Sequence, residues 1–353
     1  MEPVPRMWEV GTVSQRQALL TGATGFIASH LLPKLLAEGW KVRACGRRPR
    51  PDWFPDRVDY RSLDLARPNE LDELFEGITH LFHLAGASSS TSTEEQMHRF
   101  NVVATRNLLK AAPRGLERAL YMSSTSVYGE EVQLPLPVSE EVQPSPSRGY
   151  GKAKWGAEQE VWARAEEGMS VVVLRPVSVF GPANIKLLGS AVLDVAMEAW
   201  DGLDALAIHA QPIEQRLVHI DDLVRASLFL AEHEAAVGHA YNVVAEDYPT
   251  SHDVARTLAG AFGMELELRD DPGCGPSYED RAAIHRQMLE HGMRPDILLT
   301  EQRFRFMRKS NRNNRLSVDA LLGTGFRFLH GHLEPAIQET IDWYRQHRWV
   351  ITH

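Results

Sequence analysis

Tyr150 and Lys154 are four residues apart, a spacing that on a helix puts both side chains on one face, one turn from each other. A phenol ordinarily titrates near ~10, too high for easy proton exchange at neutral pH. A neighbouring ammonium and a cationic nicotinamide would favour the phenolate and bring that value down, making the tyrosine a general acid or base. Far upstream, Thr21-Gly22-Ala23-Thr24-Gly25-Phe26-Ile27-Ala28 places Gly22, Gly25 and the small Ala28 at three-residue intervals. Between a strand and a helix this pattern gives a tight turn, a close backbone approach to a pyrophosphate and close helix–strand packing. A third segment, Met122-Ser123-Ser124-Thr125-Ser126-Val127-Tyr128-Gly129, puts a hydroxyl at the end of a predicted strand, where it can hydrogen-bond a substrate oxygen beside the tyrosine. A dinucleotide cradle with a proton donor reads as hydride chemistry.

About 20 residues past the glycines, where a carboxylate would grip an adenosine ribose, the chain reads Val42-Arg43-Ala44-Cys45-Gly46-Arg47-Arg48. Two guanidinium forks suit a 2′-phosphate, so NADP is expected over NAD, which stays possible.

The elements that must position these groups alternate. Apolar β-rich runs at Ala18–Leu20, Lys41–Ala44, Leu81–Leu84, Ala119–Ser123 and Val171–Leu174 are separated by helical patterns at Phe26–Glu38, Glu70–Phe75, Val102–Ala112 and Tyr150–Glu167. This is the signature of parallel βαβ units, an α/β class with a Rossmann-type doubly wound parallel sheet. Pro33 falls inside the first helix, where a kink or a tolerated defect is expected. Beyond Pro182 the pattern changes, with a helix at Leu187–Trp200, a strand at Leu217–His219, a helix at Asp221–Glu232 and a strand at Tyr241–Val243. The expected division is a flexible tail (1–15), a cofactor domain (16–182 with returning segments such as 212–245), and a smaller C-terminal α+β substrate lobe (183–211 and 246–353). The charge-, Gly- and Pro-rich stretch 270–295 reads as a lid or solvated insertion carrying a helix at Tyr278–His291.

The chain has 353 residues and a net charge of −9, which argues against nucleic acid or an anionic membrane as partner. Two cysteines are too few for a disulfide framework or a thiolate zinc site, and a reducing cytoplasm is expected. There is no apolar stretch long enough to cross a bilayer and no signal or transit pattern at the start. Among fifteen histidines, His209, His219, His233 and His239 show neither helical ligand spacing nor carboxylate partners, so no metal is expected. The arginine-rich run from Arg303 to Arg315 reads as a solvated charged face.

Taken in order, Thr-Gly-Ala-Thr-Gly-Phe-Ile, Ser124-x-x-Val-Tyr-Gly and Tyr150-x-x-x-Lys154 resemble the extended short-chain dehydrogenase/reductase family, also called the NAD-dependent epimerase/dehydratase family. His83-Leu84-Ala85-Gly86, Asn101 to Leu109, Leu174-Arg175-Pro176-Val177-Ser178-Val179-Phe180-Gly181-Pro182 and Arg216-Leu217-Val218-His219-Ile220-Asp221-Asp222 extend the match nearly end to end. The resemblance implies a catalytic set of Ser124, Tyr150 and Lys154. It implies cofactor contacts at Gly22, Thr24, Gly25, Phe26 and Ile27, at Asp64 and Leu65 flanking the adenine, and at Leu84, Ala85 and Gly86 in the middle. Asn101, Tyr150 and Lys154 and, around the nicotinamide, Pro176, Val177 and Val179 complete that set. It also implies a homodimer paired through the helices near 101–112 and 150–167.

Dehydratases of that family carry an acidic pair after the catalytic hydroxyl; here Thr125-Ser126 stands there, which disfavours dehydration. Simple carbonyl/alcohol redox on a small-molecule substrate remains, with Thr125, Ser178 and Arg216 joining Ser124 as substrate contacts. Arg216 matches an arginine that grips nucleotide diphosphates, so a nucleotide-sugar epimerase with tightly held NAD is the alternative. A non-catalytic dinucleotide-binding scaffold is a third reading, disfavoured by the intact Ser124, Tyr150 and Lys154.

Overall fold

The computed structural model describes residues 16–68, 71–87, 92–129, 135–272, 277–294 and 315–352. The tail 1–15, Cys274 and most of the run 303–315 lie outside them.

The elements run β1 (Gln17–Thr21), α1 (Phe26–Ala37), β2 (Lys41–Gly46), β3 (Asp59–Ser62) and β4 (His80–His83). Next come α2 (Glu94–Met97), a π-helical stretch His98–Val103 that continues into α3 (Ala104–Ala111), β5 (Arg118–Met122), α4 (Gly149–Glu166), β6 (Val171–Pro176) and β7 (Ser178–Phe180). Then follow α5 (Leu188–Trp200), β8 (Ala205–His209), β9 (Leu217–His219), α6 (Ile220–Glu232), β10 (His239–Val243), α7 (Ser251–Ala261) and β11 (Glu265–Arg269). The described chain finishes with α8 (Tyr278–Glu290), α9 (Asp319–Gly323) and α10 (Leu333–Gln346). Where a helix was expected at Glu70–Phe75, a single 3-10 turn, Asp72–Phe75, is found.

Seven strands form one parallel sheet in the order β10-β6-β5-β4-β1-β2-β3. The order reverses between β1 and β4, and ligands of such sheets bind outside the carboxyl ends of the strands at that point. The central strands are buried on both faces; Ala18, Leu19, Leu20, Leu81, Phe82 and Val171 to Leu174 are essentially inaccessible. One face carries α1 and α6, the other α3 and α4. A second core joins α5, α7, α8 and α10 with the short pairs β7–β9 and β8–β11 at its margin. α1 runs through Pro33 without a break; the proline ring is exposed and withholds the hydrogen bond that Ser29 O would otherwise accept.

Candidate active site

Gly22 has φ +66°, and a Cβ there would lie 2.8 Å from the Cα and N of Ala85, which follows β4. The turn after β1 and the turn after β4 are therefore in backbone contact, and only a glycine closes the gap. Gly22→Ala is expected to cost about 1–3 kcal/mol of stability and to abolish dinucleotide binding, checked by thermal melting and NADPH fluorescence titration. Gly25 caps α1 with no side-chain hydrogen bond and no acidic residue in the first turn, leaving backbone N–H groups and the helix dipole directed outward. Behind the turn, Thr21 Oγ1 accepts from Ala85 N at 3.2 Å and meets His83 Nδ1 at 2.7 Å, while His83 Nε2 meets Thr105 Oγ1 at 2.8 Å. Burial, with the Lys154 charge nearby, holds the His83 imidazole down at about 3, so this relay is uncharged.

Ten of the expected cofactor residues line one cleft of about 320 Å³: Gly22, Thr24, Gly25, Arg47, Arg48, Asp64, Leu65, Leu84, Ala85 and Gly86. Cys45, Gly46, Leu63, Phe100, Ala104 and Lys186 complete the lining and were not anticipated. Phe26, Ile27, Asn101, Tyr150, Lys154, Pro176, Val177 and Val179 are not in its wall. Arg47 stacks over the Phe100 ring, its guanidinium carbon 3.9 Å from the ring centre. Arg48 is held through its carbonyl, which accepts from the Tyr60 hydroxyl at 2.6 Å. Asp64 accepts from Arg99 at 2.8 Å and from Ala66 N at 3.0 Å, and Leu65 O accepts from Asn107 at 3.2 Å.

Deeper in, a Cβ on Gly86 would collide with Asn101 Oδ1 at 2.5 Å and touch Lys154 Nζ at 3.4 Å. Asn101 is fully buried; its amide donates to Ala87 O and Met97 O, and its Oδ1 is a buried acceptor without a hydrogen-bond partner. A free acceptor and an ammonium on either side of a position that tolerates no side chain suit a ribose hydroxyl, so these residues fit a dinucleotide.

Ser124 lies two residues beyond β5 in extended conformation, its Oγ accepting from Ser126 N at 3.2 Å and contacting Ser126 Oγ at 3.1 Å. It also hydrogen-bonds the Tyr150 phenol. Lys154 Nζ donates to Met122 O at 2.7 Å and lies 6.0 Å from the Tyr150 ring centre. The structure thus brings these three side chains together, with one difference from expectation. Burial pushes the Tyr150 phenol up to about 12, opposed only by the Ser124 hydrogen bond, rather than the lysine bringing it down. Burial also lowers Lys154 to about 8, with Glu158 opposing, so the ammonium that was to stabilise phenolate is itself costly to keep charged.

Under the triad, α4 presents Glu158, fully buried, to a network no motif announced. Arg175 on β6 grips Glu158 through Nε at 3.1 Å and through a terminal nitrogen, and donates to the Tyr128 hydroxyl at 2.9 Å. Ser123 donates to Glu158 at 2.7 Å, Trp162 at 3.2 Å, and Tyr128 donates to Asn242 Oδ1 on β10 at 2.8 Å.

Of the other substrate candidates, Thr125 lies 3.4 Å from Pro176 O, and Ser178 pairs with Leu217 across β7 and β9. Arg216, just before β9, is half-buried near Tyr248. One expectation is corrected: His219 does have a carboxylate neighbour, Asp221 Oδ2 at 4.0 Å, and with His330 the three offer ligand atoms within 4.8 Å of one another. The imidazole caps α6 by accepting from Asp221 N, an arrangement two residues apart that helical spacing does not reveal.

A parallel sheet with a glycine turn at its switch point and a Ser-Tyr-Lys set beside it defines a dinucleotide-dependent oxidoreductase fold. The chain belongs to the NAD dependent epimerase/dehydratase family, whose profile matches residues 18–244. A putative dihydroflavonol 4-reductase of Synechocystis sp. is 34% identical over 175 residues, 47% of this chain and 50% of that protein. A GDP-6-deoxy-D-mannose reductase of Pseudomonas aeruginosa is 28% identical over 301 residues, 81% of this chain and 94% of its own. In fold, a UDP-glucose 4-epimerase from Thermotoga maritima superposes with a TM-score of 0.70 at 20% identity, covering 94% of this chain and 99% of that one. Other solved structures of this fold hold NAD or NADPH. The chain is an NAD(P)-dependent oxidoreductase of the extended short-chain dehydrogenase type. No helix among the described residues is long and apolar enough to cross a membrane.

Proposed function

We propose that this protein is an NADP-dependent reductase of a small carbonyl compound, with Tyr150 as proton donor. The observation that carries the reading is the pair of arginines, Arg47 and Arg48, in the wall of the cleft where a ribose-binding carboxylate would otherwise stand. When bound, the nicotinamide cofactor supplies the hydride. Ser124 holds the substrate oxygen beside Tyr150, and the phenol, kept protonated by burial, hands that oxygen its proton. Lys154 and Asn101 hold the ribose. Thr125 and Ser126 offer no carboxyl group for a second proton transfer, so reduction stops at the alcohol. The substrate pocket belongs to the lobe built from residues 183–211 and 246–353. Two copies pair through the faces near 101–112 and 150–167, and the enzyme works in the cytoplasm.

Arg216 supports a second reading, an epimerase of a nucleotide sugar, because its guanidinium suits a diphosphate. Titration with NADPH and NADH separates the two. A reductase is expected to prefer NADPH by at least about tenfold and to lose that preference in Arg47→Ala/Arg48→Ala, each charge-assisted contact being worth about 1.5–3 kcal/mol. Tight NAD binding insensitive to those arginines would put the epimerase first, and dinucleotide binding without turnover on any carbonyl compound would point to a scaffold.

A further inference from the structure

Among the described residues lining the dinucleotide cleft, all but one come from the first 104 residues; the exception is Lys186, from the segment between β7 and α5. We infer that Lys186 is a phosphate-binding residue that closes the cleft over the cofactor's pyrophosphate, an inference that rests on the dinucleotide-dependent reading above.

The position of the segment supports this assignment. Pro182 O is 2.9 Å from His30 Nε2, one turn into α1 from Phe26, so the segment docks on the helix that starts at the glycine turn. Asn184 then staples it: its amide donates to Val179 O at 2.6 Å, its Oδ1 accepts from Lys186 N at 2.6 Å, and its carbonyl accepts from the Tyr344 hydroxyl on α10. Gly189 packs so closely under Asn184 that a Cβ would lie 1.8 Å from Asn184 O.

Two residues on either side of Lys186 have left-handed backbone that a side chain disfavours: Ala183 at φ +64° and Leu187 at φ +50°. Ile185 and Leu187 stay 40% and 41% exposed, so the bend is not explained by burying them. What the bend does achieve is to bring an ammonium into the wall shared by Gly22, Thr24 and Gly25, where α1 offers backbone N–H groups without an acidic side chain. A lysine is a flexible point charge well suited to phosphate, and a diphosphate carries two negative charges that one helix terminus offsets only in part.

Because its segment docks on α1 through Pro182 and His30, Lys186 is assigned to the pyrophosphate, which NADPH and NADH share. Lys186 is exposed, so Lys186→Ala should fold normally, and a thermal melt verifies this. Fluorescence or calorimetric titration of the full chain is expected to show the NADPH and NADH dissociation constants both raised about tenfold in Lys186→Ala and more in Lys186→Glu, with Lys186→Arg close to wild type. Unchanged affinities in Lys186→Ala, with wild type binding normally, overturn the inference while leaving the dinucleotide reading intact. A loss confined to NADPH also overturns it, by moving Lys186 to the 2′-phosphate. Failure of the wild type to bind either dinucleotide overturns both.

Discussion

Tyr150→Phe is expected to lower kcat for carbonyl reduction by about a hundred- to ten-thousandfold while leaving NADPH affinity nearly unchanged, because it removes one proton and no cofactor contact of comparable strength. The assay is NADPH oxidation against a panel of ketones, paired with a binding titration. Retained turnover would remove the phenol as proton donor. The pH profile carries a further expectation. With the phenol pushed up to about 12, Tyr150 alone would keep its proton across the whole accessible range. Lys154, lowered to about 8, loses its charge in that range. The charged lysine is the proposed ribose contact, so kcat/KM for NADPH is expected to fall as pH rises through about 8. In Lys154→Met that inflection should vanish together with most of the activity. An inflection near 8 persisting in Lys154→Met would assign it to another group.

The second large effect is on stability. Glu158 and Arg175 are almost completely inaccessible and joined by several hydrogen bonds. Removing one partner leaves the other as an unpaired buried charge, so Arg175→Met or Glu158→Ala is expected to destabilise the fold by about 3–5 kcal/mol in urea unfolding. The double change Glu158→Leu/Arg175→Met should recover a substantial part of that loss, since the pair's desolvation disappears with it. If each single variant melts within about 1 kcal/mol of wild type, the pair carries no such role. Because Glu158 is one turn beyond Lys154 on α4, partially recovered variants that fold but turn over slowly would show that the network also sets where the triad stands.

The glycine cradle and the parallel sheet were legible because they are local: a turn that only Gly22 can make, and apolar runs of strand length between helical periods. The lining of the cleft was legible for the same reason, since Leu84, Ala85 and Gly86 follow one strand and Asp64 and Leu65 another. What escaped depends on contacts distant in sequence. Phe100 lies more than fifty residues from the arginine it supports, and nothing in its surroundings marks it as other than core. Lys186 reads as an ordinary surface lysine until the bend between Ala183 and Leu187 is seen. Helical spacing reports that Lys154 is near Tyr150 but not that its Nζ is turned to Met122 O, nor that burial raises the phenol. Glu158 and Arg175 are ordinary helix and strand residues in the sequence, and only the packing of α4 on β6 makes them a pair.

The core under α1 and α6 and the core of α5, α7, α8 and α10 are interleaved along the described chain. It leaves the first after Leu174, returns at Val218, departs again past Val243, comes back for Leu321 and Phe326, and finishes in the second from Leu333. A pocket exchanged between relatives as a single cassette would therefore carry off α6 and the sheet edge β10 with it. Transplanting specificity onto this scaffold requires separate junctions on both sides of the stretch from Val218 to Val243.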